Sequence, residues 1–188
     1  MEKYHGKYRI ESARLKNWDY GSPGFYFVTI VTRNRECYFG DIVTARGESG
    51  TGVVETQNFA SLQPSTIGAI AQQYWMDIPK HFPFVELDEW VVMPNHLHGI
   101  IFINKPNYSN WEPNKFGPQS MNLGSIMRGY KAGVKSFATT NEIVFTWQSK
   151  FHDHIIRSEE ELNRIRQYII DNPKNWERDR NNQDNLFM

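Results

Sequence analysis

A single cysteine, Cys37, stands in 188 residues, so no internal disulfide forms and no cysteine cluster for zinc can be built. No uninterrupted apolar run approaches the ~18 residues that a membrane-crossing helix needs. The opening stretch from Met1 to Ile10 lacks the apolar centre of a secretory signal. The expected setting is therefore a reducing cytoplasm, with no membrane partner. Net charge is missing too, with 21 basic residues against 21 acidic ones. A generic nucleic-acid binder is strongly basic, so any affinity for DNA must come from where the charges lie. Residues 123 to 140 contain Arg128, Lys131 and Lys135 and no acid, while acids gather at Glu86, Asp88, Glu89 and Glu159 to Glu161. Those three cations are the candidate DNA contacts, although a solvated surface helix has the same composition.

What remains is an ordinary globular chain, 39% hydrophobic and 14% aromatic, of a length that suits one domain. Phe25 to Thr32 is rich in β-branched and aromatic residues and predicts a strand. Cys37 to Val43 and Gly52 to Thr56 predict a hairpin around a polar link at residues 44–51. Pro64-Ser65-Thr66 starts a helix whose core face is Ile67, Ile70, Ala71, Tyr74 and Ile78, ending at Pro79. Val85 to Met93 and His96 to Ile103 are two strands joined tightly at Pro94-Asn95. Residues 104–119, rich in Asn, Pro, Gly and Ser, predict a loop. A helix follows over 123–139, then a strand over 146–156. Ser158 and Glu161 form a capping-box signature for a last helix that Asn172-Pro173 closes. This order predicts one α+β domain, an antiparallel sheet with helices packed mainly on one face.

The stretch richest in chemistry is Met93-Pro94-Asn95-His96-Leu97-His98. On a strand, alternate side chains share a face, so both imidazoles point one way and Leu97 points into the core behind them. Two neutral imidazoles on a rigid element are a natural start for a divalent-metal site; the plain alternative is a pair of half-buried, hydrogen-bonded histidines. A second alternating pair, His152 and His154 around Asp153, offers further ligands or groups that orient the first pair, or else structural or DNA-contacting positions. Tyr168 and Asn172 are i and i+4 and stack on one helical face, beside an apolar stripe of Leu162, Ile165 and Ile169. Periodicity alone also fits a core tyrosine and a helix cap. Tyr130, in the basic segment Arg128-Gly129-Tyr130-Lys131, is the rival phenol, although its spacing with Ile126, Val134 and Phe137 favours packing. Tyr4, Tyr8, Trp18, Tyr20, Tyr108 and Trp111 lie in polar segments and are expected to be exposed, where they could stack on unpaired bases.

The Met-Pro-Asn-His-Leu-His string resembles the HUH motif of the REP-associated tyrosine transposases and related single-tyrosine HUH transposases. The likeness continues through Tyr20 to Thr29, Arg33 to Gly40, Val85 to Asp88, Trp147-Gln148 with Phe151 to Arg157, and Tyr168 to Pro173 with Trp176. It covers residues 14 to 180, nearly the whole chain. The resemblance implies a ferredoxin-like, RRM-like HUH endonuclease core. It also implies a divalent metal, Mg²⁺ or Mn²⁺, held by His96 and His98 with Asn172 completing the site, and Tyr168 as the catalytic nucleophile that forms a 5′-phosphotyrosine link. The implied partner is single-stranded or hairpin DNA, and a homodimer is left open. Two other functions fit the residues less fully: a hairpin-binding protein that no longer cleaves, and a metal-dependent hydrolase of small phosphoesters. Intact His96, His98, Tyr168 and Asn172 argue against the first, and the lack of nearby acidic residues in sequence argues against a two-metal form of the second.

Overall fold

A computed structural model describes residues 3–4, 7–8, 15, 18–45, 59–106, 120–179 and 181–182. The side chains of Tyr4 and Tyr8, the aromatics Tyr108 and Trp111, the segment from Gly52 to Thr56 and most of the 44–51 and 104–119 links lie outside the described residues. Two short strands, β1 (Lys3–Tyr4) and β2 (Lys7–Tyr8), pair with each other. The main sheet is built from β3 (Gly24–Val31), β6 (Val85–Met93), β7 (His96–Ile103) and β8 (His152–Ile156), in the order β6-β7-β3-β8, antiparallel throughout. A separate hairpin pairs β4 (Gly40–Ala45) with β5 (Phe59–Pro64). Helices α1 (Thr66–Met76), the short α2 (Ile78–His81) and α3 (Leu123–Thr140) come between the strands, and α4 (Glu159–Asp171) follows β8. Setting the hairpin aside, the order is β-α-β-β-α-β, that of a ferredoxin-like fold, with α4 added.

The sheet has two apolar faces because each central strand sends alternate residues to opposite sides. Tyr26, Val28 and Ile30 of β3 and Leu97 and Ile101 of β7 pack with Ala71 and Trp75 of α1 and with Ile126, Tyr130 and Val134 of α3. The opposite residues of the same strands, Phe25, Phe27 and Ile100, meet Leu162, Ile165 and Ile169 of α4. So α1 and α3 cover one face, as the predicted pattern requires, and α4 covers part of the other. The histidines fall on the α4 side, because β7 runs Leu97 into the first core.

Several elements differ from the sequence expectation, each for a local reason. The strand expected over 146–156 begins only at His152, with one lone bridge, Thr32 to Trp147, before it. Trp147 donates its indole N–H to Lys131 O and packs among Phe39, Tyr130 and Phe145, which draws the chain off the sheet edge. The second arm of the hairpin is Phe59–Pro64, and its first arm begins at Gly40 after a 3₁₀ turn at Arg33–Arg35. Pro79 does not end a helix but sits in the first turn of α2, where its missing N–H leaves no gap. Asn172-Pro173 closes α4 at Asp171 as expected, although the chain runs straight on into another turn. Asn172 stays helical (φ −57, ψ −44) and Pro173 opens a 3₁₀ turn through Arg178. Trp18 and Tyr20 are half-buried rather than exposed, packed against the first core, with Trp18 Nε1 donating to Tyr26 Oη.

Gly99, between His98 and Ile100, fixes the spacing of sheet and helix. A Cβ there would lie 2.3 Å from Trp75 of α1, far inside van der Waals contact. Gly99→Ala should therefore cost about 1–3 kcal/mol of stability through overpacking. Urea unfolding of the two proteins measures this, and an unchanged midpoint would mean that Trp75 moves aside freely.

Candidate metal and nucleophile site

The tight turn at Pro94–Asn95 delivers His96 and His98 to the first three positions of β7, where both are buried. Register sets their neighbours: His96 lies opposite Val31 and His98 opposite Thr29. Asn95, itself fully buried, orients the first imidazole. Its amide nitrogen donates to Arg35 O (2.8 Å) and to Asn181 O (2.7 Å), which turns its Oδ1 towards His96 Nδ1 at 2.9 Å. An amide oxygen only accepts, so His96 Nδ1 carries a proton, and in the neutral imidazole Nε2 keeps a lone pair. That lone pair faces Asp179, whose Oδ2 is 3.9 Å away. His98 Nδ1 lies 2.8 Å from Thr29 Oγ1, a hydroxyl that can accept from the ring or donate to it. One ligand atom from each of His96, His98 and Asp179 lies within 4.8 Å of the others, and all three are buried. Two imidazoles and a carboxylate are a donor set for first-row divalent ions, and a lone pair turned towards a carboxylate calls for a positive charge between them, a metal ion or a proton.

Asp179 is the member that sequence spacing does not reveal. It follows the 3₁₀ turn Pro173–Arg178, which lays Trp176 6.1 Å from His96, ring centre to ring centre. Asn181 then closes the segment onto Asn95. The acid lies outside any helical or strand repeat, so periodicity cannot single it out. Asn172 is buried at the end of α4, and its side-chain Oδ1 receives no hydrogen bond. That unsatisfied oxygen is a further neutral donor at the helix end that also carries Tyr168.

Helix α4 presents Tyr168 to the histidines. Ser158 caps it by accepting from Glu161 N, while the Glu161 carboxylate turns to Arg157 N and His154 rather than closing a full capping box. Burying Leu162 and Ile169 is worth about 1.5–3 kcal/mol each. The partly exposed ion pair between Arg166 and Asp88 on β6 is worth about 1 kcal/mol or less. The apolar stripe therefore holds the helix, and the pair sets its rotation with two bonds, Nε to Oδ1 at 2.8 Å and Nη2 to Oδ2 at 2.5 Å. Tyr168, 44% exposed, brings its phenol oxygen to 3.1 Å from His98 Nε2 and its ring edge-on to Phe27. In the tautomer with the His98 proton on Nδ1, the phenol O–H donates to Nε2; in the other, Nε2–H donates to the phenol oxygen.

The other candidates take different places. Tyr130 is in the first core on the far side of the sheet, its hydroxyl donating to Ala71 O, and burial pushes its phenol far above the usual range. It is a packing residue. His152 and His154 lie on the same sheet face as the first pair, opposite Thr29 and Phe27, but both are exposed and His154 pairs with Glu161 at 2.9 Å. Asp153 is half-buried on the reverse face. On α3, Lys131 donates to Gln148 O and Ser149 O and Lys135 to Phe145 O. Burial holds the Lys131 amine below its usual range. Both lysines thus brace the 145–149 segment, while Arg128 is exposed.

No protein-family model matches the chain. A Haemophilus influenzae (strain ATCC 51907 / DSM 11121 / KW20 / Rd) protein known only as an uncharacterized protein is 39% identical over 187 residues, covering 94% of this chain and 96% of its own length. Among solved structures, that of a REP-associated tyrosine transposase bound to a REP hairpin superposes with a TM-score of 0.56 and 19% identity, over 88% of this chain and 74% of the other. The fold is the same as that transposase's. No helix among the described residues is long and apolar enough to cross a membrane.

The clamp on α4 makes a pH-dependent prediction. The Arg166 guanidinium beside Asp88 holds its carboxyl below the usual carboxylate range. A carboxyl lowered by folding contributes stability above its unfolded pKa, ~3.9, and loses it as pH falls through the lowered folded value. Asp88→Asn should cost about 1 kcal/mol or less at neutral pH, with the gap to wild type closing in acid. A gap in urea stability that stays constant into acid would mean that the carboxylate's charge is not what holds the helix.

Proposed function

We propose, for a chain that belongs to one family with the Haemophilus influenzae protein and has the fold of a REP-associated tyrosine transposase, that it is a divalent-metal-dependent endonuclease and strand transferase of single-stranded DNA. The observation that carries this reading is the pairing of two features on one sheet face. The His96 lone pair faces a buried carboxylate at 3.9 Å, and the Tyr168 phenol stands 3.1 Å from the other histidine. The transposase that shares the fold is bound to a REP hairpin, and DNA that combines a hairpin with an unpaired strand is the proposed substrate here. A stem is gripped mainly through phosphates and unpaired bases can be read.

His96, His98 and Asp179 would hold the ion, with Asn172 Oδ1 as a further donor. Imidazole ligands favour Mn²⁺ over Mg²⁺ on intrinsic affinity. Bound there, the ion would polarise the scissile phosphate and offset its growing negative charge. Tyr168 is the nucleophile: its oxygen bonds to phosphorus, the bond from phosphorus to the 3′ oxygen breaks, and the proton lost by the phenol is matched by the one the 3′ hydroxyl gains through water. The resulting 5′-phosphotyrosine keeps the energy of the phosphodiester, so a second 3′ hydroxyl can reverse the step and join a new strand. Asn95 keeps His96 in the tautomer that leaves Nε2 able to bind metal, and with the ion bound Thr29 would accept from His98 Nδ1 and so favour the same tautomer there. The exposed His152 is the proposed phosphate contact beside the site, and Arg128, on α3 across the sheet, is a proposed contact for DNA that reaches past the sheet edge. A hairpin binder without cleavage would have no use for a phenol set against a metal-binding nitrogen. A two-metal hydrolase would need more carboxylates than Asp179, the only one that joins the histidines among the described residues.

Incubation with hairpin-bearing single strands and Mn²⁺ should yield a covalent protein–DNA adduct that survives denaturing electrophoresis. Tyr168→Phe should abolish the adduct while hairpin affinity stays within about twofold, since only a hydroxyl is removed. An adduct that persists in this variant would defeat the assignment. His96→Ala should abolish cleavage and weaken Mn²⁺ binding, measured by calorimetry. Phenol and ion draw on the same His98 lone pair, so Tyr168→Phe should also tighten Mn²⁺ binding, by up to about fivefold for a hydrogen bond of about 1 kcal/mol. Weaker binding in Tyr168→Phe would make the phenol oxygen a ligand and not a competitor.

A further inference from the structure

One row of residues crosses the sheet face that carries the metal ligands. His98 on β7 lies opposite Thr29 on β3, and Thr29 lies opposite His152 on β8. Residues directly opposite in an antiparallel pair share a face, so the two histidines flank Thr29 on the same side. Strands about 4.8 Å apart set the backbones of His98 and His152 roughly 10 Å from each other. A phosphodiester held by an ion on His98 can bridge that gap.

The two histidines of β8 differ in their commitments. His154 Nε2 lies 2.9 Å from Glu161 Oε1, and the other oxygen of that acid accepts from Arg157 N at the start of α4. His152 is exposed and has no hydrogen-bond or ion-pair partner among the described residues. Of the other ionisable groups around it, Asp153 is on the reverse face, Lys150 is exposed ahead of the strand, and His98 and Tyr168 belong to the site itself. An imidazole on a rigid strand, beside a reaction centre and bound to nothing, is free to take up or give a proton.

The direction of attack brings it into play. Helix α4 covers Phe25, Phe27 and Ile100, which lie on the Ile156 side of the row, and from there it sets Tyr168 against His98 and Phe27. Attacking and leaving oxygens stand roughly in line across phosphorus. A phosphate attacked by Tyr168 from the α4 side therefore turns its 3′ oxygen towards the end of the face that α4 leaves open, where His152 stands. The phenol is a far stronger acid than a 3′ hydroxyl, so the leaving oxygen is the one that gains most from a placed proton donor.

We propose that His152 is the general acid for the leaving 3′ oxygen. This rests on the reading of the histidine site as a DNA-cleaving centre and adds where the proton comes from. As the Tyr168 oxygen bonds to phosphorus and the bond to the 3′ oxygen breaks, the His152 imidazolium gives that oxygen its proton, directly or through one water, and is left neutral. Solvent takes up the proton that the phenol loses and returns one to the imidazole. In strand joining the neutral imidazole accepts the proton of the incoming 3′ hydroxyl, and the same bonds are remade in reverse.

The test compares full-length wild type with His152→Gln in single-turnover cleavage with Mn²⁺. The substrates are a hairpin-bearing single strand, its cleavage position mapped with the wild type, and the same strand with sulfur in place of the 3′ oxygen at that position. On the oxygen substrate the variant should be slower by about 100-fold or more. On the sulfur substrate it should match wild type, because a thiolate leaves without a proton. Its Mn²⁺ affinity by calorimetry should be unchanged. Thermal melting checks the fold, and His152→Asn serves if the first variant melts early. Wild-type rates on the oxygen substrate, an equal loss on both substrates, or a loss of Mn²⁺ affinity overturns the general acid and leaves the cleavage reading intact. Wild type that cleaves neither strand overturns both.

Discussion

Strand β7 has to serve two interiors at once, and the rest of the molecule is arranged around that demand. Its odd-numbered residues, Leu97, Ile101 and Ile103, pack into the core shared with α1 and α3. The even-numbered ones, His96, His98 and Ile100, turn to the face that α4 partly covers. A slip of one residue in the pairing with β3 would exchange the sets and bury two imidazoles among aliphatic side chains. The apolar half of the strand therefore enforces the position of the polar half. Gly99 completes the arrangement by letting Trp75 come against the strand from behind the histidines.

On the α4 face the arrangement is electrostatic. A buried polar group is tolerable when its partners are fixed, and the fixing here follows a chain of single hydrogen bonds. Asn95 directs both amide protons to carbonyls, so its oxygen can only accept from His96, and the other nitrogen of that ring faces Asp179. Thr29 bonds Nδ1 of His98, whose other nitrogen meets the Tyr168 phenol. The unsatisfied Oδ1 of Asn172 lies at the end of the same helix. Donors for a cation thus gather on one face, and a phenol stands against one of them.

Much of this was legible in the chain. Period-two patterning puts His96 and His98 on one face with Leu97 on the other, and i to i+4 spacing stacks Tyr168 with Asn172, so the faces of strands and helices follow from apolar repeats, whereas the order of strands in the sheet does not. The parts that escaped are those with no repeat to betray them. Asp179 reaches the site through a 3₁₀ turn after a proline that reads as an exit. Asn95 reads as a turn residue, and only the folded positions of Arg35 and Asn181 turn its amide into an orienting group. Lys131 and Lys135 read as a basic surface, yet their long side chains curl onto carbonyls of the 145–149 segment. Trp147 reads as a strand residue, but its indole is more stable packed among Phe39, Tyr130 and Phe145 than along a sheet edge.

The central claim is that one divalent ion belongs among His96, His98 and Asp179. Anomalous diffraction from crystals soaked in Mn²⁺ tests it most directly. The account predicts a single strong anomalous peak within bonding distance of the Nε2 atoms of both histidines and of an Asp179 oxygen, with the Tyr168 phenol moved off His98. A peak at another site, or none here under conditions where Mn²⁺ supports cleavage in solution, would contradict it.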